Sequence, residues 1–200
     1  MYRAVLALAW FAGTIYATIP LFWLIVHPFA ELLRTRRSPY RVIIPSWFLM
    51  MAVVYFITWP WHDVVLYHSP VAWLAAGLLF AAAIFIYQHS HLDFSRSQVM
   101  GRSEVEPGQE QRLVTVGIRQ QIRHPIYLAH LCMLLAWTVG SGEVVLYGLT
   151  IFALLTGWPM IRQEEAELER RFGDEYRAYK RAVPAVLMPR VSRLAKAREP

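Results

Sequence analysis

Residues 4–26 read AVLALAWFAGTIYATIPLFWLIV, a run without a single Asp, Glu, Lys or Arg. A bilayer's hydrocarbon core needs about 20 apolar residues of helix, so the run reads as a membrane span. Arg3 precedes it, which leaves a cleaved signal as the alternative. A signal's apolar region is only about 7–15 residues and is followed by a small-residue cleavage site. This run instead continues through Phe22 and Trp23 to His27-Pro28. The expectation is a retained helix.

Similar runs follow at residues 42–59 and 71–88, and two shorter ones at 126–139 and 144–158. Gly140-Ser141-Gly142-Glu143 divides the last two, and such a break predicts a tight helical hairpin. Each arm is short, so the pair is expected to tilt little or to thin the bilayer locally. The whole-chain composition agrees. Hydrophobic residues make up 56% of the 200, and charged residues only 17%. Globular norms are about 45–50% and about 25%, so the excess is too large for one soluble core and excludes disorder. Cys132 is the one cysteine, which excludes a disulfide framework and a cysteine-based zinc site. The predicted fold is an all-α polytopic membrane bundle of about five transmembrane helices, with a cytoplasmic C-terminal amphipathic helix.

Basic residues give the orientation, because cytoplasmic loops carry the excess. Arg34, Arg36, Arg37 and Arg41 fall between the first two runs; Arg96, Arg102, Arg112, Arg119 and Arg123 fall between the third and fourth. Half of the 20 basic side chains lie after residue 160, and only Arg3 falls on the other side. This predicts an N-terminus outside and a C-terminus in the cytoplasm. The net charge of +6 then reflects topology, with anionic membrane lipids as partner and no nucleic acid. Lys180 and Lys196 are the only lysines, an arginine bias that points to a bacterial host and its inner membrane. Three regions follow: residues 1–112 with the first helices and loops, 113–189 with the chemistry-bearing motifs, and 190–200 as a basic tail.

Five spans leave no room for a soluble catalytic domain, and no dinucleotide fingerprint or P-loop is present. Any site must come from helix ends and loops. Arg123-His124-Pro125-Ile126-Tyr127 precedes the hairpin, and Pro125 suits the first turn of a helix. His124 would then lie near that helix's N-terminus, which favours an anionic group. A membrane-interface cap, with Arg123 and Tyr127 at the headgroups, is the simpler alternative. After the hairpin, Ile161, Leu168, Phe172, Tyr176, Tyr179 and Val183 form one helical stripe, and Glu165 lies on it. An inward carboxylate needs a partner or a ligand, and Arg162 at i, i+3 is the local candidate. Glu167 and Arg171 read as a solvated pair, and Gly173 as a bend. His89 and His91 point in different directions on a helix, so no metal is expected. His130, inside an apolar run, reads as a hydrogen-bonded histidine between helices, and a functional role stays open.

Further motifs complete the pattern: Leu113-Val114-Thr115-Val116-Gly117 before the RHPIY segment, then Glu164-Glu165-Ala166-Glu167-Leu168, Phe172-Gly173-Asp174-Glu175-Tyr176, Tyr179 and Val183-Pro184. Their order and separation resemble the isoprenylcysteine carboxyl methyltransferase and phospholipid methyltransferase superfamily, over about residues 113–189. The resemblance implies a membrane enzyme using S-adenosylmethionine at the cytoplasmic face. It implies cofactor contacts from Leu113, Val114, His124, Pro125, Ile126 and Tyr127, and places Glu164 and Glu165 on the cofactor and reaction side. Arg162 is the candidate for holding an acceptor carboxylate. Ala129, Ile118 and Arg119 depart from the family pattern, which puts an aromatic contact with the adenosine, and the acceptor, in doubt.

The implied acceptor is a lipid or a prenylated small molecule or peptide. A carboxylate needs no base at pH 7, whereas an amine would need Glu164 or Glu165 as one. Glu165→Gln is expected to abolish turnover with the fold intact. Two other readings stay open: an NADPH-dependent sterol-type reductase, which shares an arginine-histidine-proline motif, and a non-enzymatic membrane protein.

Overall fold

The structure, a computed structural model, describes residues 2–29, 32–33, 35, 38–92 and 113–186. The basic tail at 190–200, the basic loop at 93–112 and the end of the motif region at 187–189 lie outside the described residues. Five helices carry the fold: α1 (Tyr2–Val26), α2 (Tyr40–Thr58), α3 (Pro70–Leu92), α4 (Pro125–Ser141) and α5 (Val144–Ala182). The described residues form no strand. Four helices are long and apolar enough to cross a membrane, and α4 is a shorter apolar helix.

Their outward faces stay apolar: Leu78 on α3 is 76% exposed and Phe56 on α2 is 71% exposed. A water-facing surface would not carry such a band, whereas lipid tails accept it. Bilayer helices gain little from burying apolar surface, so close backbone approach has to hold them together. Ala9, Gly13 and Ala17 form a stripe of small residues on α1. A Cβ on Gly13 would run into the Leu146 side chain of α5. Trp10 and Leu134 join Leu146 and Leu149 in the core there. Helix α1 therefore sits at the centre, against α2, α4 and α5, while α3 packs along α4.

Polar cross-links fix the register. Trp10 Nε1 donates to Thr58 Oγ1 at 2.9 Å, and the Thr138 and Thr150 hydroxyls meet at 2.9 Å across the hairpin. The hairpin is as tight as its Gly-Ser-Gly break predicts. Gly142 ends α4 at φ 71°, the left-handed conformation that glycine adopts without strain. The α2–α3 loop pairs with this turn: Leu66 N–H donates to Gly142 C=O and Val144 N–H to Val64 C=O, both at 2.9 Å.

The last helix is longer than its apolar run. Its lipid-compatible arm covers residues 144–158, and the polar stretch beyond continues the same helix to Ala182. Pro159 removes one backbone donor but does not stop it, as is common where neighbouring helices hold the chain. The break comes instead at Gly173, whose φ of 56° and ψ of −127° are non-helical. Beyond that bend the chain turns back towards the start of α4.

Candidate functional site

The site forms where the start of α4 meets the polar half of α5. Pro125 occupies the first turn of α4, with His124 as its N-cap residue. The chain before it is tied to the chain after α5: Arg123 N–H donates to Pro184 C=O and His124 N–H to Ala185 C=O, each at 2.9 Å. Tyr179 Oη donates to Arg119 C=O at 2.7 Å. These bonds bring the RHPIY segment onto the face of α5 that carries Glu165.

Glu165 is 6% exposed, and its partners come from distant sequence. Arg123 donates to Glu165 Oε1 through Nε at 3.0 Å and also through Nη2. Nη1 of the same guanidinium donates to the Lys180 carbonyl at 2.9 Å and to the Val183 carbonyl, capping the end of α5. Lys180 Nζ lies 3.1 Å from Glu165 Oε2 and 2.6 Å from Glu169 Oε1. His124 completes the cluster, with Nε2 3.3 Å from Glu165 Oε1.

Burial alone would raise the Glu165 carboxyl, but hydrogen bonds from His124, Arg123 and Lys180, with the Arg123 charge, outweigh it and hold the group down at about 2. Hydrogen bonding to Glu169 raises Lys180 above the ordinary lysine range. Glu165 is therefore a fixed anion and a poor base.

Glu164 differs. Its Oε2 lies 3.5 Å from His124 Nδ1, within ion-pair range, yet is buried without a hydrogen bond among the described residues. A neutral imidazole can donate through one nitrogen only, so His124 serves both carboxylates fully only as an imidazolium. The Tyr176 hydroxyl is also buried in this cluster, beside Arg123 and Glu165. Burial and then the Glu165 charge push that phenol up, so it stays a donor. The His124 and Tyr127 rings stack at 5.6 Å between centroids.

Tyr127 also lines an apolar cavity of about 430 Å³ between α1, α4, α5 and residues 184–186. Pro20, His130, Gly157, Trp158 and Ile161 contribute to its walls. His130 stands among rings: Tyr16 and Tyr87 lie 5.7 and 5.6 Å away, and its Nδ1 has no hydrogen-bond partner among the described residues.

The structure thus brings together His124, Pro125, Tyr127, Glu164 and Glu165, with Ile126 in the first turn of α4. Leu113 and Val114 are half-buried in the segment leading to that turn. Arg162 is exposed, and the partners of Glu165 are Arg123, His124 and Lys180 instead. The i, i+3 rule considers only neighbours on one helix, whereas the fold supplies a better-buried guanidinium from 42 residues away. Tyr176 carries no local signal beyond the motif stripe, and Lys180 lies off that stripe. Because Glu165 is tied to Arg123, Lys180 and His124, Glu165→Gln is expected to disturb the fold as well as any chemistry. Among the described residues no group of three or more His, Cys, Asp or Glu side chains gathers as a metal would require.

No protein-family model matches the chain, and no solved structure matches it. A Haemophilus influenzae protein described as uncharacterized is 46% identical over 59 residues, which is 29% of this chain and 94% of that protein. The chain belongs to the same family as that Haemophilus influenzae protein.

Proposed function

We propose that the chain is a membrane methyltransferase that uses S-adenosylmethionine and acts on the carboxylate of a lipid-like or prenylated acceptor. In this reading it crosses the membrane five times, with the N-terminus outside and the His124–Glu165 cluster on the cytoplasmic side of a bacterial inner membrane. The observation that carries the reading is the adjacency of a polar, partly unsatisfied cluster and an apolar cavity, joined at Tyr127.

The residues present suit the cofactor. Glu164 Oε2, an acceptor with no hydrogen bond among the described residues, and the buried Tyr176 hydroxyl, a donor, match an ammonium and a carboxylate. Tyr127 and the half-buried Leu113 and Val114 offer apolar surface for an adenosine. When bound, S-adenosylmethionine supplies an electrophilic methyl group on a sulfonium.

The protein's own task is then to hold the acceptor oxygen in line and exclude water. The cavity holds the acceptor's apolar chain. Arg123 and Lys180 fix Glu165, and Glu165 fixes His124 at the start of α4. The state of Glu165 removes one of the two candidate bases for an amine acceptor, because a carboxyl held at about 2 is a poor proton acceptor at neutral pH, and a carboxylate acceptor needs no base at all.

The test is thermal stabilisation of the detergent-solubilised chain by S-adenosylhomocysteine or NADPH, followed by methyl transfer to a prenylated cysteine and to a phospholipid amine. Stabilisation by S-adenosylhomocysteine and methylation of the carboxylate are expected. A response to NADPH alone would mark a reductase, and a response to neither a non-enzymatic protein. Amine methylation would overturn the acceptor assignment.

A further inference from the structure

At the opposite end of α5, Glu143 is fully buried, at 0% exposure, in the hairpin turn. Neither carboxylate oxygen has a hydrogen-bond partner among the described residues. Three parts of the chain close over it. The α2–α3 loop pairs Val65 with Glu143 as an antiparallel bridge, flanked by the Leu66–Gly142 and Val144–Val64 bonds. Tyr67 Oη donates to Val139 C=O at 2.7 Å. The first residue of α1 adds a long hydrogen bond, Tyr2 Oη to Ser141 C=O at 3.4 Å.

Few charges are near enough to neutralise the carboxylate. From α1 come Tyr2, whose phenol feels Glu143, and the exposed Arg3; from the loop come the exposed Asp63 and His68, the latter packed on the Tyr2 ring. Tyr67 and Tyr147 bond to each other. None forms an ion pair with Glu143 among the described residues. A carboxylate desolvated to this degree without a cation is strongly disfavoured, so the closed turn requires a neutral side chain.

We infer that Glu143 is a proton-binding site that latches the α2–α3 loop onto the α4–α5 turn, and that the latch weakens as pH on that face rises. The proton makes the closed arrangement neutral; its loss leaves an anion that no cation neutralises and that the Ser141 hydroxyl stabilises only in part, and water reaches it when the loop lifts away. Consistent with this geometry, burial pushes the Glu143 carboxyl up to about 7, opposed in part by the Ser141 hydroxyl. The sign follows. The closed form binds the proton more tightly than an exposed carboxyl, so the latch is strongest below about 4.5, loosens as pH rises to about 7, and changes no further above that.

The test is amide hydrogen exchange at Leu66 and Val144 in the full chain in lipid nanodiscs, corrected for intrinsic exchange, between pH 4.5 and 8. Opening is expected to increase about a hundredfold or more up to pH 7 and then level off. Glu143→Gln and Glu143→Met should each remove the dependence; the second variant covers the case in which the first fails to fold. A flat wild-type profile, or the same slope in the variants, would overturn the inference. So would full protection at pH 8 on adding sodium or potassium in place of choline, which would make the ligand a metal cation.

Discussion

Glu143 and Glu165 lie near opposite ends of one apolar arm, about 33 Å apart along a straight helix. Both are buried, at 0% and 6% exposure, and burial pushes both carboxyls up. Their outcomes are opposite: about 7 for Glu143 and about 2 for Glu165. The difference lies in the supply of partners. Glu165 meets Arg123, His124 and Lys180, whereas Glu143 meets backbone, Ser141 and the Tyr2 phenol. Depth sets the penalty for a charge, and the neighbours decide whether that charge survives.

The largest effect is expected from removing the partner that distinguishes the two sites. Arg123→Ala strips Glu165 of its guanidinium and uncaps the end of α5, and should cost about 3–5 kcal/mol in detergent unfolding. A loss under about 1 kcal/mol would show that His124 and Lys180 suffice.

The pH profile comes next. Stability from Glu165 is present above about 4.5 and lost as pH falls through about 2, whereas stability from Glu143 is full below about 4.5 and lost as pH rises to about 7. Each limb amounts to about 3 kcal/mol at about 1.4 kcal/mol per pH unit. Thermal unfolding of Glu165→Gln should lack the acid limb, and that of Glu143→Gln the other.

A smaller effect is expected from giving Glu143 a partner. Val65 sits opposite it in the bridge, where side chains share a face, so Val65→Lys should flatten the upper limb by about 1–2 kcal/mol. The smallest belongs to Lys180→Met. The side chain is 39% exposed and Glu165 keeps two other partners, so unfolding should shift by less than about 1 kcal/mol.

The same contrast explains what the sequence discloses. Apolar runs place α1, α2, α3 and the hairpin to within a few residues, because span length is a local property of composition. The inward position of Glu165 is legible from the helical stripe, and the bend at Gly173 from its lack of a side chain. Its partners are not legible. Arg123 reaches Glu165 only after the chain has folded back, and Arg162, the local choice, faces outward. Glu143 reads as a lone acid in a turn, since its burial depends on a loop some 80 residues earlier, as the Tyr67–Tyr147 bond of the same region illustrates. The helical stripe from Ile161 to Val183 is legible, but its continuity with the apolar arm through Pro159 is not, because a change from apolar to charged residues alters the environment of a helix without ending it.

The main-chain bonds from Arg123 and His124 to Pro184 and Ala185 set an order of assembly during synthesis. Arg123 leaves the ribosome 60 residues ahead of Val183, whose carbonyl its guanidinium caps. At elongation rates of about 5–20 residues per second that interval is about 3–12 seconds. Throughout it the hairpin can insert and the apolar core can close, but the cluster cannot form. A chain stalled before residue 184 would have its membrane helices in place and the Arg123–Glu165 cluster still open, so Pro184 and Ala185, by accepting from Arg123 N–H and His124 N–H, close the site last.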